Sequence, residues 1–347
     1  MAIRVIGMLS MPFIFISYSH KDSEYANRPA ESAETKVRLA QIEMDQAEPA
    51  RPDPRIPDKP LRLELACVPA GEFVMGTRTA DIAGLLKAYG GEQAWYEWEV
   101  PQHRLALPEY TIGKTPVTVS QFELFVKATG HRTAAEEEGW GWVWTGQALQ
   151  QEKGASWRHP RGAKSDVANK GDHPATQVTW HDAQAFCRWA NMRLASEAEW
   201  EKAARGVDGR VFPWGDQAPD DSLCNFGMKV GDTTPVSRSV KGASPYGVLD
   251  MAGNVWEWTG SLWGTDVNKP AYGYPYNPTD GREDLQAADP ISRVVRGGSY
   301  IYGDGSVRCA CRGKSDPGRR SDNIGFRVVC VSPSPLDLTS KVELELE

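Results

Sequence analysis

Two thiols stand one residue apart near the end of this chain, Cys309 and Cys311, in the run Arg308-Cys309-Ala310-Cys311-Arg312. In an extended strand such a pair projects to one face, and two soft thiolates suit copper(I). A simpler reading takes Cys309 as a small apolar side chain buried in a strand. That reading is preferred, so no metal and no cofactor are expected. The other cysteines, Cys67, Cys187, Cys224 and Cys330, form no CxxC pair. Six thiols are too few for a disulfide scaffold in 347 residues. His20, His103, His131, His159, His173 and His181 make neither HxxxH nor HExxH. His159 and His173 precede prolines in loops and read as hydrogen-bonding residues. There is no GxSxG nucleophile and no phosphate loop, and no catalytic residue is assigned. Trp-rich Gly139–Trp144 offers an aromatic platform, but Trp at this density more often anchors a core.

The elements that must position these residues are short. Leu61–Val68 alternates apolar and polar side chains, as a half-buried strand does, and the PAGEFVMG that follows reads as a turn and a second short strand. Thr118–Gly130 reads as a helix with a Thr118/Gln121 capping box and an apolar face of Val119, Phe122, Phe125 and Val126. Thr179–Asn191 is a second helix, with Ala183, Phe186, Cys187 and Ala190 as its buried stripe. Ser196–Gly206 is a third, opened by Ser196 and Glu199. Loops and short strands fill the rest, without βαβ alternation, so the fold class is α+β.

Net charge is −7, which argues against a nucleic-acid partner. No apolar run reaches the ~18 residues of a membrane span. The N-terminus lacks the long apolar core and cleavage site of a signal peptide, so a cytoplasmic location is expected. Residues 1–48 read as an N-terminal extension and 49–60 as a stiff linker, with four prolines in RPDPRIPDKP. Residues 61–335 form one module and 336–347 a polar tail.

Phe13–Asp22, FIFISYSHKD, resembles the opening box of the Toll/interleukin-1 receptor domain. Only this short stretch matches, so it reads as a remnant or a partner-binding extension. A larger resemblance rests on PAGEFVMG, TPVTVSQFELFV, GASWRHPRG, HPATQVTW, RLASEAEWEKAARG, FPWG, MAGNVWEWTGS and the segment Arg296–Arg327. Together these resemble the formylglycine-generating-enzyme-type module, which has a C-type lectin fold. In that enzyme the segment after GGS carries two cysteines that bind copper and perform the oxidation. Here Tyr302 stands where the first would be, and Gly305–Ser306 occupy the region of the second. The resemblance therefore implies a chain that is not an enzyme. It also implies that a cysteine at Cys309 is structural, and that Asn225, Asp232 and Asn254 lie where the family can bind calcium. Turn capping is the preferred role for those three.

Arg296–Arg327 mixes two kinds of position. A framework (RGGS, Val307–Cys309, IGFR) alternates with Tyr300, Ile301, Tyr302, Gly303, Asp304, Gly305, Ser306, Cys311, Gly313, Ser315, Ser321 and Asp322. This texture resembles the variable region of target proteins of diversity-generating retroelements, in which adenines of Asn codons are randomised. Changing the first two bases of AAC or AAT cannot yield Glu, Lys, Gln, Met or Trp, and none of these occupies a mixed position. Tyr and Ile give contact area while Ser, Gly and Asp give adaptable hydrogen bonds, as in an antibody paratope. The expected function is recognition of a macromolecular ligand, a protein, through these residues. Two alternatives stand beside it: a copper-dependent oxidase using Cys309 and Cys311, and an interaction scaffold in a signalling or defence system.

Overall fold

The computed structural model describes residues 61–331. The extension with its Toll-like box, the linker and the tail lie outside the described residues. In chain order the strands are β1 (Leu65–Val68), β2 (Gly71–Met75), β3 (His103–Leu107), β4 (Tyr110–Gly113), β5 (Trp140–Trp144), β6 (Leu149–Lys153), β7 (Met192–Leu194), β8 (Trp256–Gly264), β9 (Ser292–Arg296), β10 (Arg312–Ser315), β11 (Ile324–Phe326) and β12 (Val328–Cys330). The helices are α1 (Ile82–Tyr89), α2 (Gln93–Glu97), α3 (Val119–Thr129), α4 (Ala134–Glu138), α5 (Trp180–Trp189) and α6 (Glu197–Arg205).

The three helices expected from the sequence are present, and each begins with a reciprocal capping box: Thr118/Gln121, Thr179/Asp182 and Ser196/Glu199. Side chain and backbone thereby satisfy one another's free donors at the helix start. The helix α4 was not expected, although Thr133 and Glu136 form the same box in front of it. One sheet has the order β1-β4-β12-β7 and is antiparallel throughout. The other runs β10-β9-β8-β11, with only β11 parallel to its neighbour. Two hairpins, β2-β3 and β5-β6, complete a mixed α+β fold of the C-type lectin kind. Among the described residues no helix is long and apolar enough to cross a membrane.

The main core joins α3, α5 and the second sheet. Phe122 stacks on Phe186 at 6.0 Å, and Phe125, Trp157 and Phe326 meet this pair edge-on. The expected stripe of α5 is buried at Ala183, Phe186, Cys187 and Ala190. The second cluster is less ordinary. Every residue of α6 is buried, including Glu197, Glu199, Glu201, Lys202 and Arg205. Such charges persist inside only when paired and hydrogen-bonded. Arg312 makes a two-pronged contact with Glu197 at 2.6 and 2.9 Å. Arg296 bonds Glu201 at 2.5 Å, and Arg327 forks onto Glu257 at 2.6 Å through both prongs. These arginines belong to the last third of the chain, so the pairs fasten that segment to α6 and β8.

Asp250 is buried with a positive φ of 55° and accepts a hydrogen bond from Asn254 Nδ2 at 3.3 Å. Burial pushes its carboxyl up to about 7. The unfolded chain releases this proton near about pH 4, before the folded chain does. Stability therefore falls as pH rises from there to about 7, and is flat above. Asp250→Asn removes the titration and suits left-handed backbone. Urea unfolding at about pH 8 is expected to show the variant more stable by on the order of 2 kcal/mol, with the advantage absent at about pH 4. Equal stability at the higher pH would sink this reading of Asp250.

Candidate functional site

The second sheet and the loops around it enclose a cleft of about 550 Å³. Its floor is Trp256, the first residue of β8, with Tyr302 packed edge-on against it at 5.8 Å. Trp98 forms one wall and is braced edge-on by Trp263 at 5.0 Å. The strand β10 crosses beside it, in register with β9 through Arg312↔Arg296 and Gly313↔Val295. Gly313 lets this strand approach the floor: a Cβ there would lie 2.9 Å from Val295 and 3.1 Å from Trp256. Asn323 and Ile324 close the cleft from β11.

Buried ion pairs fix the rim. Arg308 stacks over Tyr96 at 4.0 Å and forks onto Glu99 at 2.9 and 2.7 Å. Its Nε also donates to Gly305 O at 3.0 Å, which ties the 304–308 turn to the wall that carries Trp98. Lys314 Nζ lies 4.1 Å over the Trp98 ring, and Arg319 lies 4.0 Å over Trp142.

The twelve mixed positions do not share one environment. Tyr302, Ser306, Cys311, Gly313 and Ser315 line the cleft. Ile301, Gly303 and Asp304 reach solvent to differing degrees on the turn before it. Tyr300, Ser321 and Asp322 are buried together behind it, with Tyr300 Oη donating to Asp322 at 3.0 Å. Asp322 also accepts from the Trp144 amide at 3.1 Å, and burial raises its carboxyl above the ordinary range. Gly305 is buried where a Cβ would meet Gly90 O at 2.9 Å and Tyr89 O at 3.1 Å.

The CxC geometry departs from expectation. Cys311 N donates to Arg308 O at 3.1 Å and closes a turn, so the pair is not extended. Cys309 enters the cluster of Trp200 and Met251, whereas Cys311 packs with Trp256 and Val295 and borders the cleft. Burial pushes both thiols up to about 12, so neither is a thiolate at neutral pH. A copper ion held between them does not fit this geometry. Among the described residues no group of three or more His, Cys, Asp or Glu side chains is placed to hold a metal. Asn225, Asp232 and Asn254 do meet, but their polar groups are taken up by one another and by neighbouring residues. Asn225 Nδ2 donates to Asp232 O at 2.8 Å, Asn254 Oδ1 accepts from Thr234 N at 2.9 Å, and the Asp232 carboxylate pairs with Lys170 at 2.5 Å. His159 pairs with Ser165 O and His173 with Thr233 Oγ1, in loop hydrogen-bonding roles.

Sequence reading did not assign Trp98, Trp256, Lys314, Arg319 or Asn323 to a site. Trp98 and Trp256 sat among thirteen tryptophans with no periodic signal to single them out. Lys314 and Arg319 lie between the mixed positions, and no local pattern marks them as cleft-lining.

The sequence pattern of the Sulfatase-modifying factor enzyme 1-like domain matches residues 56–331. Formylglycine-generating enzyme of Streptomyces coelicolor is 35% identical over 310 residues, covering 79% of this chain and 90% of the relative. The Mus musculus protein of that name is 32% identical over 303 residues, covering 78% and 76%. Inactive C-alpha-formylglycine-generating enzyme 2 of Bos taurus is also 32% identical, covering 75% and 85%. Among solved structures, PvdO from Pseudomonas aeruginosa has a TM-score of 0.56 at 24% identity, covering 78% of this chain and 98% of that one. Treponema denticola variable protein 1 has a TM-score of 0.50 at 20% identity, covering 77% and 95%. These two likenesses establish the fold. The relatives correct the expectation that this chain is not an enzyme: several proteins 30–35% identical to it over most of its length carry the name of an enzyme class. Tyr302 at the first cysteine position and Gly305–Ser306 at the second do not by themselves place the chain outside that class. Because the domain pattern spans most of the chain and agrees with these relatives, the chain belongs to the Sulfatase-modifying factor enzyme 1-like family.

Proposed function

We propose that the cleft between Trp98, Trp256 and Tyr302 holds a segment of another protein, and that residues 300–306, 311–315 and 321–322 set which segment is held. One observation carries this reading: five of the mixed positions converge on one aromatic-walled cleft with rigid neighbours. Clefts that are mostly apolar, with a few fixed polar groups, are the usual seats of ligands.

The curated relatives favour a held segment that is also a substrate, in chemistry of the formylglycine-generating type. Cys311 is then the thiol beside the bound peptide. Conversion of a peptide cysteine to an aldehyde needs dioxygen as oxidant and releases the sulfur as sulfide. With dioxygen supplied, Cys311→Ser is expected to abolish aldehyde formation on a cysteine-containing peptide, read by mass spectrometry, while leaving unfolding unchanged. Undiminished turnover in the variant would remove Cys311 from the chemistry.

The texture of Arg296–Arg327 favours a further reading, in which the held segment differs between copies of the gene because the contact set is diversified. Sequencing the gene and its flanking DNA across a cell population tests it. The expected result is a nearby near-copy of the codons for 296–327 with Asn codons at the mixed positions, and variation confined to those codons. A uniform gene without such a copy would overturn diversification and leave the substrate reading standing.

A further inference from the structure

The cleft is cationic in a chain whose net charge is −7. Its charged lining is Arg312, Lys314, Arg319 and Asp316. Arg312 is neutralised: both of its prongs are taken by Glu197, and its remaining donors reach Trp98 O and Tyr272 O at 3.0 Å. Lys314 and Arg319 differ. Both are partly buried, and each rests on an indole face. Among the described residues neither makes an ion pair or a side-chain hydrogen bond. Asp316, the one carboxylate in the lining, accepts from Gly318 N at 2.8 Å on its own turn.

Two partly desolvated cations that form no ion pair are costly until an anion arrives. Burial accordingly lowers the pKa of both groups, against the opposing pull of Glu92 on Lys314 and of Tyr302 and Asp316 on Arg319. The indole faces stabilise the cations and also present flat apolar surface for a neighbouring side chain. Oppositely charged surfaces meet with gains in specificity and association rate.

We infer that the segment held in this cleft is acidic, with its carboxylates paired to Lys314 and Arg319 and an apolar neighbour laid on Trp98 or Trp256. This rests on the reading of the cleft as a peptide-binding site and names the ligand class.

The test is selection of a random heptapeptide display library on the full chain, compared with selection on the Lys314→Gln/Arg319→Gln double variant. Thermal unfolding confirms that the double variant is folded. The expected result is enrichment of Asp and Glu in the pool selected by the native chain and its loss in the variant's pool. Replacing the enriched acid by its amide in a selected peptide is expected to weaken binding by about tenfold and to remove most of its salt dependence. Selected peptides without acidic enrichment, or enrichment that survives in the double variant, would overturn the charge assignment while sparing the cleft as a peptide site. No enriched peptide from either protein would overturn both. Competition by inorganic phosphate as strong as by the acidic peptide would assign the cations to a phosphate group instead of a peptide carboxylate.

Discussion

Glu197→Ala is expected to lower the folding stability by about 3–5 kcal/mol, the range for removing one partner of a buried pair. Glu197 is fully buried and neutralises Arg312, while Arg296 reaches it at 3.4 Å. Without it Arg312 is left inside with no carboxylate partner, and Arg296 keeps only Glu201, which also pairs with Arg205. Arg312 begins β10, so the cleft wall loses its anchor along with the charge balance. Burial alone would raise the Glu197 carboxyl, but Arg312 and Arg296 outweigh it and hold the group below its ordinary value. A depressed folded value gives stability that is full above the ordinary carboxylate range and lost as pH falls below that range through the folded value. Urea unfolding near neutral pH and at about pH 4 reads both effects: the variant is expected to be much weaker at the first and to differ less from the native chain at the second. Replacing Arg312 by Met in the same chain should recover part of the loss, because the orphaned charge goes too. A loss under about 1 kcal/mol would contradict the buried-pair account.

Glu99→Ala is the second large effect, again about 3–5 kcal/mol, and it couples stability to the site. Glu99 takes both prongs of Arg308 and also the Thr77 hydroxyl at 2.7 Å. It follows Trp98 directly, so the same peptide that holds the pair holds the cleft wall. The expected outcome is a folded but weakened chain at low temperature, with peptide affinity reduced about tenfold through the loosened Trp98. Glu99→Gln keeps the shape and one hydrogen bond and is expected to fall between the two. Unchanged affinity in Glu99→Ala would mean that Trp98 is positioned without help from Arg308, by Trp263 and by the Asn268 carbonyl, to which Trp98 Nε1 donates at 3.1 Å.

The helices were legible because their ends are written locally. Thr118 and Gln121, or Ser196 and Glu199, satisfy each other within one turn, and no distant residue is needed. The charge on α6 was not legible as burial. Glu197 and Glu201 meet their partners Arg312 and Arg296 across some hundred residues of chain, a pairing that no local pattern carries. The cleft failed for the same reason: Trp98 and Trp256 become neighbours of Tyr302 only after the second sheet has formed. The preferred reading of Cys309 as a buried apolar side chain agrees with the structure, but the placing of the CxC pair was not legible, because side-chain alternation assumes extended backbone whereas the Arg308–Cys311 turn sends the two thiols into different clusters. The mixed segment was legible as composition. Its division into cleft-lining, surface and buried positions was not, since burial of Tyr300 and Asp322 depends on Trp144 and Arg161 from far upstream.

The central claim is that a peptide segment occupies the cleft. A library-selected peptide carrying benzoylphenylalanine at its apolar position, photocrosslinked to the full chain and mapped by mass spectrometry, tests it directly. Crosslinks within residues 302–319, at Trp98 or at Trp256 are the predicted result. Crosslinks confined to the β2–β3 hairpin would contradict it, whereas cleft crosslinks that persist when Lys314 and Arg319 are both replaced by Gln would spare it and overturn only the acidic-ligand inference.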